Sequence, residues 1–325
     1  MQVAMIGLGR MGMNMARRLL GGGHEVVAYN ISPEKIHQAE KEGAVGAFSL
    51  EEVVDKLKSP KIVWLMLPIG KPVESTIDKL QGLLSSGDII IEGGNSFFKD
   101  DIRRAQMLKE KNIHYVDAGV SGGIWGLKIG YCTMVGGDKP DFDHIEPLLK
   151  TLAPENGYMY CGGTGAGHFV KMVHNGIEYG MMEAYAEGFE ILKASPYGKD
   201  LSLKDVATLW NQGSVVRSWL LELMESAFEK DPDLSNISGY VEDSGEGRWT
   251  VQQAIELGVS ATVLAHSVFK RFQSRQQDVF SDKVLAALRN EFGGHMVMKQ
   301  GESVKQSDAG AGSVTPAQPD KGYKL

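Results

Sequence analysis

The sequence predicts an α/β amino-terminal half with a doubly wound, largely parallel sheet, followed by an all-α carboxyl-terminal half. Short β-rich segments alternate with amphipathic helical segments up to about residue 161, as in parallel sheets that helices cover on both faces. From the glycine-rich segment 162–167 to about residue 289, the pattern is helical with almost no strand signal. The length of 325 residues suits two domains or one large α/β unit.

The elements of the first half follow from short apolar segments bounded by turn residues. The predicted strands are 3–6, 25–29, 62–67, 89–92, 114–117, 131–135 and 158–161. Amphipathic helices are predicted between them, among them 11–20, 33–42, 98–109 and one that begins near Pro140. In the second half we predict a long helix from 168 to about 192 and shorter helices at 203–211, 217–230, 250–257 and 261–276.

These elements predict a first domain at residues 1–163 and an all-helical domain at 164–298. Residues 299–325 are rich in Gly, Ser, Pro, Asp and Lys, and we predict a disordered tail there.

The bulk properties exclude several classes of function. The chain is 42% hydrophobic and 23% charged, with a net charge of −7, so general electrostatic binding to nucleic acid or anionic lipid is not expected. No apolar segment approaches the roughly 20 residues that span a membrane, and the first strand leaves no room for a signal peptide. A cytoplasmic protein is therefore predicted. Cys132 and Cys161 have neither metal-ligand nor disulfide spacing, so we expect two buried thiols and no metal site.

The first strand leads into a glycine turn at residues 7–12 that is followed by a helix. In the G-x-G-x-x-G pattern, Gly7 permits the tight turn, Gly9 lets the backbone approach a pyrophosphate, and Gly12 allows close packing of helix on strand. The helix N-terminus adds free N–H groups and a partial positive charge. The alternative is a turn that serves packing alone. The strand–turn–helix context favours a Rossmann-type domain whose cofactor contacts include Gly7, Leu8, Gly9, Met11 and Gly12.

The end of the second strand bears on the choice of cofactor. An acidic residue there binds the ribose 2′-hydroxyl of NAD, and an arginine pairs with the 2′-phosphate of NADP. This chain has Asn30, Ile31 and Ser32 instead, and Asn30 has the chemistry to bond ribose hydroxyls. Lys35 is long enough to reach a 2′-phosphate, but an exposed helix face is the preferred explanation for it. The sequence therefore predicts NAD in preference to NADP, with contacts from Asn30, Ile31 and Ser32.

Two later segments contain residue types that bind ligands or act in catalysis. Ser121, Gly122 and Gly123 follow a strand at the carboxyl edge of the sheet, where open α/β sheets bind ligands; the alternative is an ordinary turn. Lys171, His174, Asn175 and Glu178 occur at positions i, i+3, i+4 and i+7 and therefore share one helix face. A hydrated helix face would explain this polar stripe too, but a stripe on an otherwise apolar helix is costly unless it lines a site.

With these segments in view, the chain resembles the decarboxylating 6-phosphogluconate dehydrogenases of the β-hydroxyacid dehydrogenase superfamily. The resemblance extends from residue 1 to about residue 295. It rests on the glycine turn at 7–12, GGNS at 93–96, VSGG at 120–123, GAGHFVKMVHNGIEY at 165–179, GRWT at 247–250 and RNEFGGH at 289–295.

The resemblance implies a role for each matching residue. Lys171 would be the general base on the C3 hydroxyl of 6-phosphogluconate, and Glu178 would be the acid that protonates C1 after CO2 leaves. Tyr179 and Arg271 match residues that bind the phosphate. Further substrate contacts would come from Asn95, which also meets the cofactor, and from Ser121, Gly122, Gly123, His174, Asn175, Arg289 and His295. The last two match residues that a neighbouring subunit supplies.

The chain also departs from the family pattern. It lacks the second set of helices of longer members, so which subunit donates Arg289 stays open. A homodimer or homotetramer is expected, because the shortened helical domain would expose apolar faces. Ser244 and Glu246 replace a phosphate-binding lysine and threonine, and Arg248 is a candidate to compensate. Two other functions stay open: a dehydrogenase for a small acid such as 3-hydroxyisobutyrate, and a non-catalytic dinucleotide sensor.

Overall fold

The computed structural model describes residues 1–294, 296 and 297. The chain divides into two compact units, Met1–Ser274 and a second that begins at Arg275. All the strands, and the helices up to residue 273, belong to the first unit. The boundary between residues 163 and 164 stays a prediction, and the tail expected at 299–325 lies outside the described residues.

Eight strands form one sheet in the order β3-β2-β1-β4-β5-β6-β7-β8. Their apolar side chains are buried on both faces, in two separate hydrophobic clusters. The strands are β1 (Gln2–Ile6), β2 (Glu25–Tyr29), β3 (Val45–Ala47), β4 (Ile62–Leu65), β5 (Ile89–Glu92), β6 (His114–Ser121), β7 (Cys132–Gly136) and β8 (Tyr158–Gly162).

The strand order reverses between β1 and β4, which are neighbours although β2 and β3 intervene in sequence. Such a reversal opens a crevice at the carboxyl ends of the strands, where dinucleotides bind. The connecting helices are α1 (Arg10–Gly21), α2 (Pro33–Lys41), α3 (Leu50–Lys56), α4 (Lys71–Leu80), α5 (Phe98–Lys109), α6 (Gly126–Ile129) and α7 (Lys139–Leu152). A single 3₁₀ turn, Gly123–Trp125, precedes α6.

The chain after β8 is helical, and the predicted all-α second half is confirmed for the described residues. Its first helix spans 29 residues, and the shorter helices after it have serine caps where the sequence offers them: Ser202 and Ser218 accept bonds from backbone N–H groups. The helices are α8 (Ala166–Ala194), α9 (Leu203–Trp210), α10 (Trp219–Lys230), α11 (Glu246–Leu257), α12 (Thr262–Gln273) and, in the second unit, α13 (Phe280–Gly293).

Two details correct the expectations. Strand β6 continues four residues past its predicted end, to Ser121, and pairs antiparallel with β7, so the sheet is not wholly parallel. The prediction of two buried thiols was wrong: Cys132 is exposed and Cys161 is half-buried. Cys132 is exposed because it is the first residue of β7, where the strand begins opposite Ser121, the last residue of β6.

Among the helices of the described residues, none is both long and apolar enough to cross a bilayer.

Candidate active site

A groove of about 730 Å³ lies at the carboxyl ends of β1, β2 and β4. It is lined by the glycine turn, with Gly7, Gly9 and Gly12, and by Met11. A Cβ at Gly9 would meet nothing within 4 Å, so the backbone there faces open space. Gly12 is the opposite case, because a Cβ would lie 2.0 Å from the Gly7 carbonyl oxygen. The N-terminus of α1 at Gly9 has no side-chain cap, which leaves its N–H groups to a bound anion.

The end of β2 forms the second wall of this groove through Asn30 and Ile31. Asn30 braces the glycine turn, because its Oδ1 accepts a bond from the Leu8 N–H at 3.0 Å. The Leu8 side chain is itself buried in the core. Ile31 is 90% exposed. The Ser32 hydroxyl donates to the Glu34 carboxylate at 2.9 Å, so an acidic group that the sequence reasoning missed lies beside this strand end.

A second cleft, of about 960 Å³, adjoins the groove and shares Met11 and Asn95 with it. It contains the predicted chemistry-bearing segments, namely Ser121, Gly122, Gly123, Lys171, His174, Asn175 and Glu178. Asn95 is fixed by two bonds to Val120: the Val120 N–H donates to its Oδ1 at 3.0 Å, and its Nδ2 donates to the carbonyl at 3.3 Å. The polar stripe predicted on α8 therefore faces the same cavity as the loop after β6.

Lys171 is the buried cation of this cleft, with 5% of its surface exposed. Its Nζ donates to Asn175 Oδ1 and lies 3.5 Å from His174 Nδ1. His174 Nδ1 in turn lies 3.9 Å from Glu178 Oε2. Desolvation lowers the pKa of Lys171, against the opposing charges of Glu178 and Glu246. A lysine that acts as a base near neutral pH requires a lowered pKa, which is the direction of the shift at Lys171.

The position of Lys171 depends on close contact between α8 and the sheet. A Cβ at Gly119, in β6, would lie 2.3 Å from Lys171 Cβ. A Cβ at Gly167 would lie 2.5 Å from the Met134 carbonyl oxygen and 2.7 Å from that of Asp117. Glycine at both positions therefore lets the helix lie directly on β6 and β7.

The far wall of the cleft was not predicted. It consists of Trp125 beside the Ser-Gly-Gly turn and of the start of α10, where Ser218, Trp219, Leu220 and Leu223 line the cavity. Trp125 and Trp219 both have more than a third of their surface exposed. The sequence does show Trp219 next to the helix-capping Ser218. Helical periodicity alone, however, does not predict which cavity such an aromatic residue faces.

Comparison with known proteins accounts for both halves of the chain. The model of the NAD binding domain of 6-phosphogluconate dehydrogenase matches residues 2–163, and the model of the 6-phosphogluconate dehydrogenase C-terminal domain matches residues 167–307. The chain belongs to the 6-phosphogluconate dehydrogenase family. The resemblance inferred from the sequence motifs is thereby confirmed.

Relatives within the 6-phosphogluconate dehydrogenase family include chains of similar length. The Bacillus subtilis protein YqeC, whose name places it in the same family, is 47% identical over 300 residues, which cover 92% of this chain and 100% of YqeC. The NAD(+)-dependent, decarboxylating 6-phosphogluconate dehydrogenase of Haloferax volcanii is 43% identical over 302 residues, which cover 92% of this chain and 99% of that protein. The solved Plasmodium falciparum 6-phosphogluconate dehydrogenase is 30% identical with a TM-score of 0.77; the match covers 93% of this chain but 67% of that longer one.

The residues that match the family's phosphate site lie around Tyr179. The Arg271 guanidinium stacks on the Tyr179 ring, 3.5 Å from its centroid. The Ser244 N–H donates to the Tyr179 hydroxyl at 3.2 Å, and the Ser244 hydroxyl donates to the Glu246 carboxylate. Arg248 forms two bonds of 2.8 Å to Asp243.

The remaining residues of the predicted family site lie elsewhere in the chain. Arg289 is exposed on α13, within the second unit. His295 lies outside the described residues. Glu92, Asp101 and His168 have ligand atoms within 4.8 Å of one another, but they form a buried charge cluster that is described below.

Proposed function

We propose that this chain catalyses the NAD-dependent oxidative decarboxylation of 6-phosphogluconate to ribulose 5-phosphate and CO2. The observation that carries the proposal is the position of Lys171. It is a buried lysine, with a pKa lowered by desolvation, in a cleft that meets the dinucleotide groove at Met11 and Asn95. A base held next to the end of a dinucleotide groove is the arrangement that oxidation of an alcohol requires.

The groove fits a dinucleotide on this chain's own features. Gly9 leaves space for close approach, and the uncapped start of α1 offers N–H groups to a pyrophosphate. When bound, NAD supplies the hydride acceptor. The chain's preference for NAD over NADP is supported by the exposed Ile31, which offers nothing to a 2′-phosphate, and by the Glu34 carboxylate beside Ser32.

The first step belongs to Lys171. As the neutral amine it takes the proton of the C3 hydroxyl while hydride leaves C3, and the product is a β-keto acid. The ammonium then donates a hydrogen bond to the new carbonyl oxygen. That oxygen accepts the electron pair released when the C1–C2 bond breaks and CO2 departs, and it takes the proton of the ammonium, so an enediol forms and Lys171 is again the neutral amine. Asn175 Oδ1, which accepts from Nζ, keeps the amine directed along the polar face of α8.

Glu178 completes the reaction in this proposal. To become ribulose 5-phosphate, the enediol needs a proton on its terminal carbon, which was C2 of 6-phosphogluconate and is C1 of the product, while the neutral Lys171 takes the proton of the hydroxyl on the next carbon. Glu178, the donor to that terminal carbon, lines the same cleft one helical turn beyond His174. His174, Asn95, Ser121, Gly122 and Gly123 have the donors and acceptors to hold the carboxylate and hydroxyls of a sugar acid.

The phosphate of the substrate would bind at Tyr179 and Arg271. A guanidinium that already stacks on an aromatic ring is held in place, so less side-chain freedom is lost when it pairs with a phosphate. Arg289 and His295 would contribute from the carboxyl-terminal part of the chain. Removing Arg289 should then raise the KM for 6-phosphogluconate.

We also propose a homodimer or homotetramer. On α11 and α12 and in the turn between them, Ile255, Leu257, Val259, Val263 and Phe269 are each at least 60% exposed, and such a concentration of apolar surface is typical of a covered interface. Light scattering behind size-exclusion chromatography tests this proposal, and a monomer at assay concentration would contradict it. A cytoplasmic location and the absence of nucleic-acid or membrane partners stay predictions.

The experiment for the proposed reaction compares 6-phosphogluconate with small 3-hydroxy acids, each with NAD and with NADP, while NADH or NADPH and CO2 are followed together. We expect equimolar NADH and CO2 from 6-phosphogluconate. NADH without CO2 would refute decarboxylation, and faster turnover of 3-hydroxyisobutyrate would favour the small-acid dehydrogenase. Absence of turnover with any of these acids, in a protein that binds NADH, would favour the sensor.

A further inference from the structure

A cluster of buried charged side chains lies at the start of α8, and none of them takes part in the reaction proposed above. Glu92 ends β5, Asp117 lies in β6, Asp101 and Arg104 lie on α5, and His168 lies in the first turn of α8. All five residues are at most 1% exposed. Buried charges are costly unless they are paired and hydrogen-bonded, so their arrangement calls for an explanation.

His168 is the cation between the carboxylates. Its Nδ1 lies 2.7 Å from Asp101 Oδ2 and 3.7 Å from Glu92 Oε2. Asp101 also accepts a bond from the Tyr115 hydroxyl at 2.7 Å and lies 3.4 Å from the Arg104 guanidinium. Burial alone would lower the pKa of His168, but the carboxylates, with Asp101 foremost, raise it to about 9. The imidazole is therefore protonated at neutral pH.

The three residues with the spacing of metal ligands are bonded within the cluster. Glu92, Asp101 and His168 have that spacing, and His168 Nδ1 lies between the Asp101 and Glu92 carboxylates. Arg104, fully buried on the same cluster and bonded to Glu74 at 2.7 Å, adds a second positive charge.

The cluster is connected to the dinucleotide groove through Glu92. Its Oε1 accepts a bond from the Gly94 N–H at 2.7 Å. Gly94 lines the groove, and the next residue, Asn95, lines both the groove and the catalytic cleft. Glu92 therefore fixes the turn that positions Asn95.

The cluster is connected to the catalytic lysine through Asp117. The N-cap residue of α8 is Gly165, which has no side chain to cap the helix. Asp117 supplies the cap, because its two carboxylate oxygens accept bonds from the N–H groups of Gly165 and His168 at 2.6 and 2.9 Å. The backbone of His168 is thus held by Asp117 and its ring by Asp101, and Lys171 follows one helical turn later.

We propose that His168 is a positioning residue for the reaction. Its imidazolium holds the first turn of α8 against the carboxylates of the sheet and of α5, so that Lys171 faces the cleft opposite the Asn95 turn. The charge is needed as well as the hydrogen bond, because with a neutral side chain Arg104 would be the cation left to balance three buried carboxyl groups, whose other described partners are neutral N–H and hydroxyl donors. The inference rests on the proposed function, in which Lys171 is the base.

The test compares two variants that each change one hydrogen-bond partner of the Asp101 carboxylate. His168→Asn retains a donor near the position of Nδ1 but removes the charge and part of the link to α8. Tyr115→Phe removes a bond to Asp101 and leaves α8 untouched. We expect His168→Asn to lower kcat by about tenfold, which corresponds to about 1.4 kcal/mol. Here kcat is expressed per active site, and the sites are counted by titration with NADH. The Kd of NADH should stay within about threefold of wild type. Tyr115→Phe should change kcat by less than about twofold.

Hydrogen exchange provides a readout that does not depend on turnover. Amides of residues 165–172 should exchange about tenfold faster in His168→Asn and unchanged in Tyr115→Phe, since only the first variant loosens the helix start. Equal kcat in His168→Asn and wild type, or equal losses in the two variants, would overturn the inference. A purely structural role would lower the melting temperature of both variants without this difference in kcat.

Two outcomes need their own criteria. If His168→Asn does not fold, Asp117→Asn replaces it, because that change removes the charge of the helix cap at constant size, and the same thresholds apply. If wild type does not turn over 6-phosphogluconate, the proposed function fails. In that event unchanged exchange of 165–172 in the variant would refute the anchoring of α8 as well, and faster exchange would support it.

Discussion

Replacement of Gly119 by alanine tests how closely Lys171, the proposed base, depends on its contact with the sheet. A Cβ at this position would lie 2.3 Å from Lys171 Cβ, 2.9 Å from its Cγ and 3.0 Å from the Gly167 carbonyl oxygen. Ordinary contact begins at 3.4 Å, so α8 must move away from β6 by about 1 Å for the methyl group to fit. The backbone of Gly119 has an ordinary φ, and the change therefore acts through space alone.

The size of the effect follows from that displacement. Overpacking of this kind costs about 1–3 kcal/mol of unfolding free energy. A reacting group misplaced by about 1 Å costs up to roughly 100-fold in rate, so we expect kcat to fall by about 10- to 100-fold. The three atoms nearest to a Cβ at residue 119 belong to Lys171 and Gly167 and not to the glycine turn at 7–12, so we expect the Kd of NADH to be unchanged.

The assay measures initial rates at saturating 6-phosphogluconate, the Kd of NADH by fluorescence and stability by urea denaturation. Gly188→Ala is the matched control, because residue 188 lies on the same helix but a Cβ there meets nothing within 4 Å. That control should gain about 0.5–1 kcal/mol of stability with unchanged kcat. If Gly119→Ala retains wild-type kcat within about twofold, the close contact does not position Lys171, and the reasoning fails.

Four further predictions follow from the site. Lys171→Met should lower the oxidation rate by about 10²–10⁴-fold, the share of a general base, with NADH binding intact; a loss below tenfold would contradict its role. Glu178→Gln should slow formation of ribulose 5-phosphate by about 100-fold, measured by product assay, and an unchanged rate would remove it as the acid. Ile31→Arg should raise kcat/KM with NADP by about tenfold through a guanidinium–phosphate pair, and Glu34→Gln should add to it; no gain would mean that the end of β2 is misassigned. Finally, the His168 pKa of about 9 in the folded chain, against 6.5 unfolded, gives a stability contribution that is complete below about pH 6.5 and lost as pH rises through 9. The melting temperature of wild type should therefore fall more than that of His168→Asn between pH 7 and 9.5, and parallel curves would contradict the assigned charge.

The sequence allowed the catalytic face to be predicted because the information is local. Lys171, His174, Asn175 and Glu178 share a face through helical spacing alone, and the structure lines one cavity with all four. The groove was predictable for the same reason, since a strand, a glycine turn and a helix occur in immediate succession. Local periodicity does not specify partners, however, so the antiparallel pairing of β6 with β7 and the three-residue edge strand β3 were not found.

Other features depend on contacts between residues far apart in sequence. Residue 117 was predicted only as the last residue of a strand, yet Asp117 caps a helix 48 residues further along the chain. No propensity distinguishes such a residue from an ordinary strand aspartate. Trp219 lines the cleft for a similar reason: the packing of α10 against the rest of the first unit decides what it faces, and that packing is encoded in no single segment.

At the predicted phosphate-binding residues, Ser244 and Glu246 replace a lysine and a threonine of the family pattern, and the two substitutions are accommodated together. Glu246 would oppose a phosphate if it faced one, but its carboxylate is buried and accepts the Ser244 hydroxyl. Its charge instead opposes the fall in the pKa of Lys171. Compensation by Arg248 stays a prediction; in the structure Asp243 accepts two bonds from its guanidinium. Arg271 is the cation in contact with Tyr179, so in the proposed function phosphate recognition within the first unit would depend on a pre-stacked arginine where the family pattern would add a lysine and a threonine.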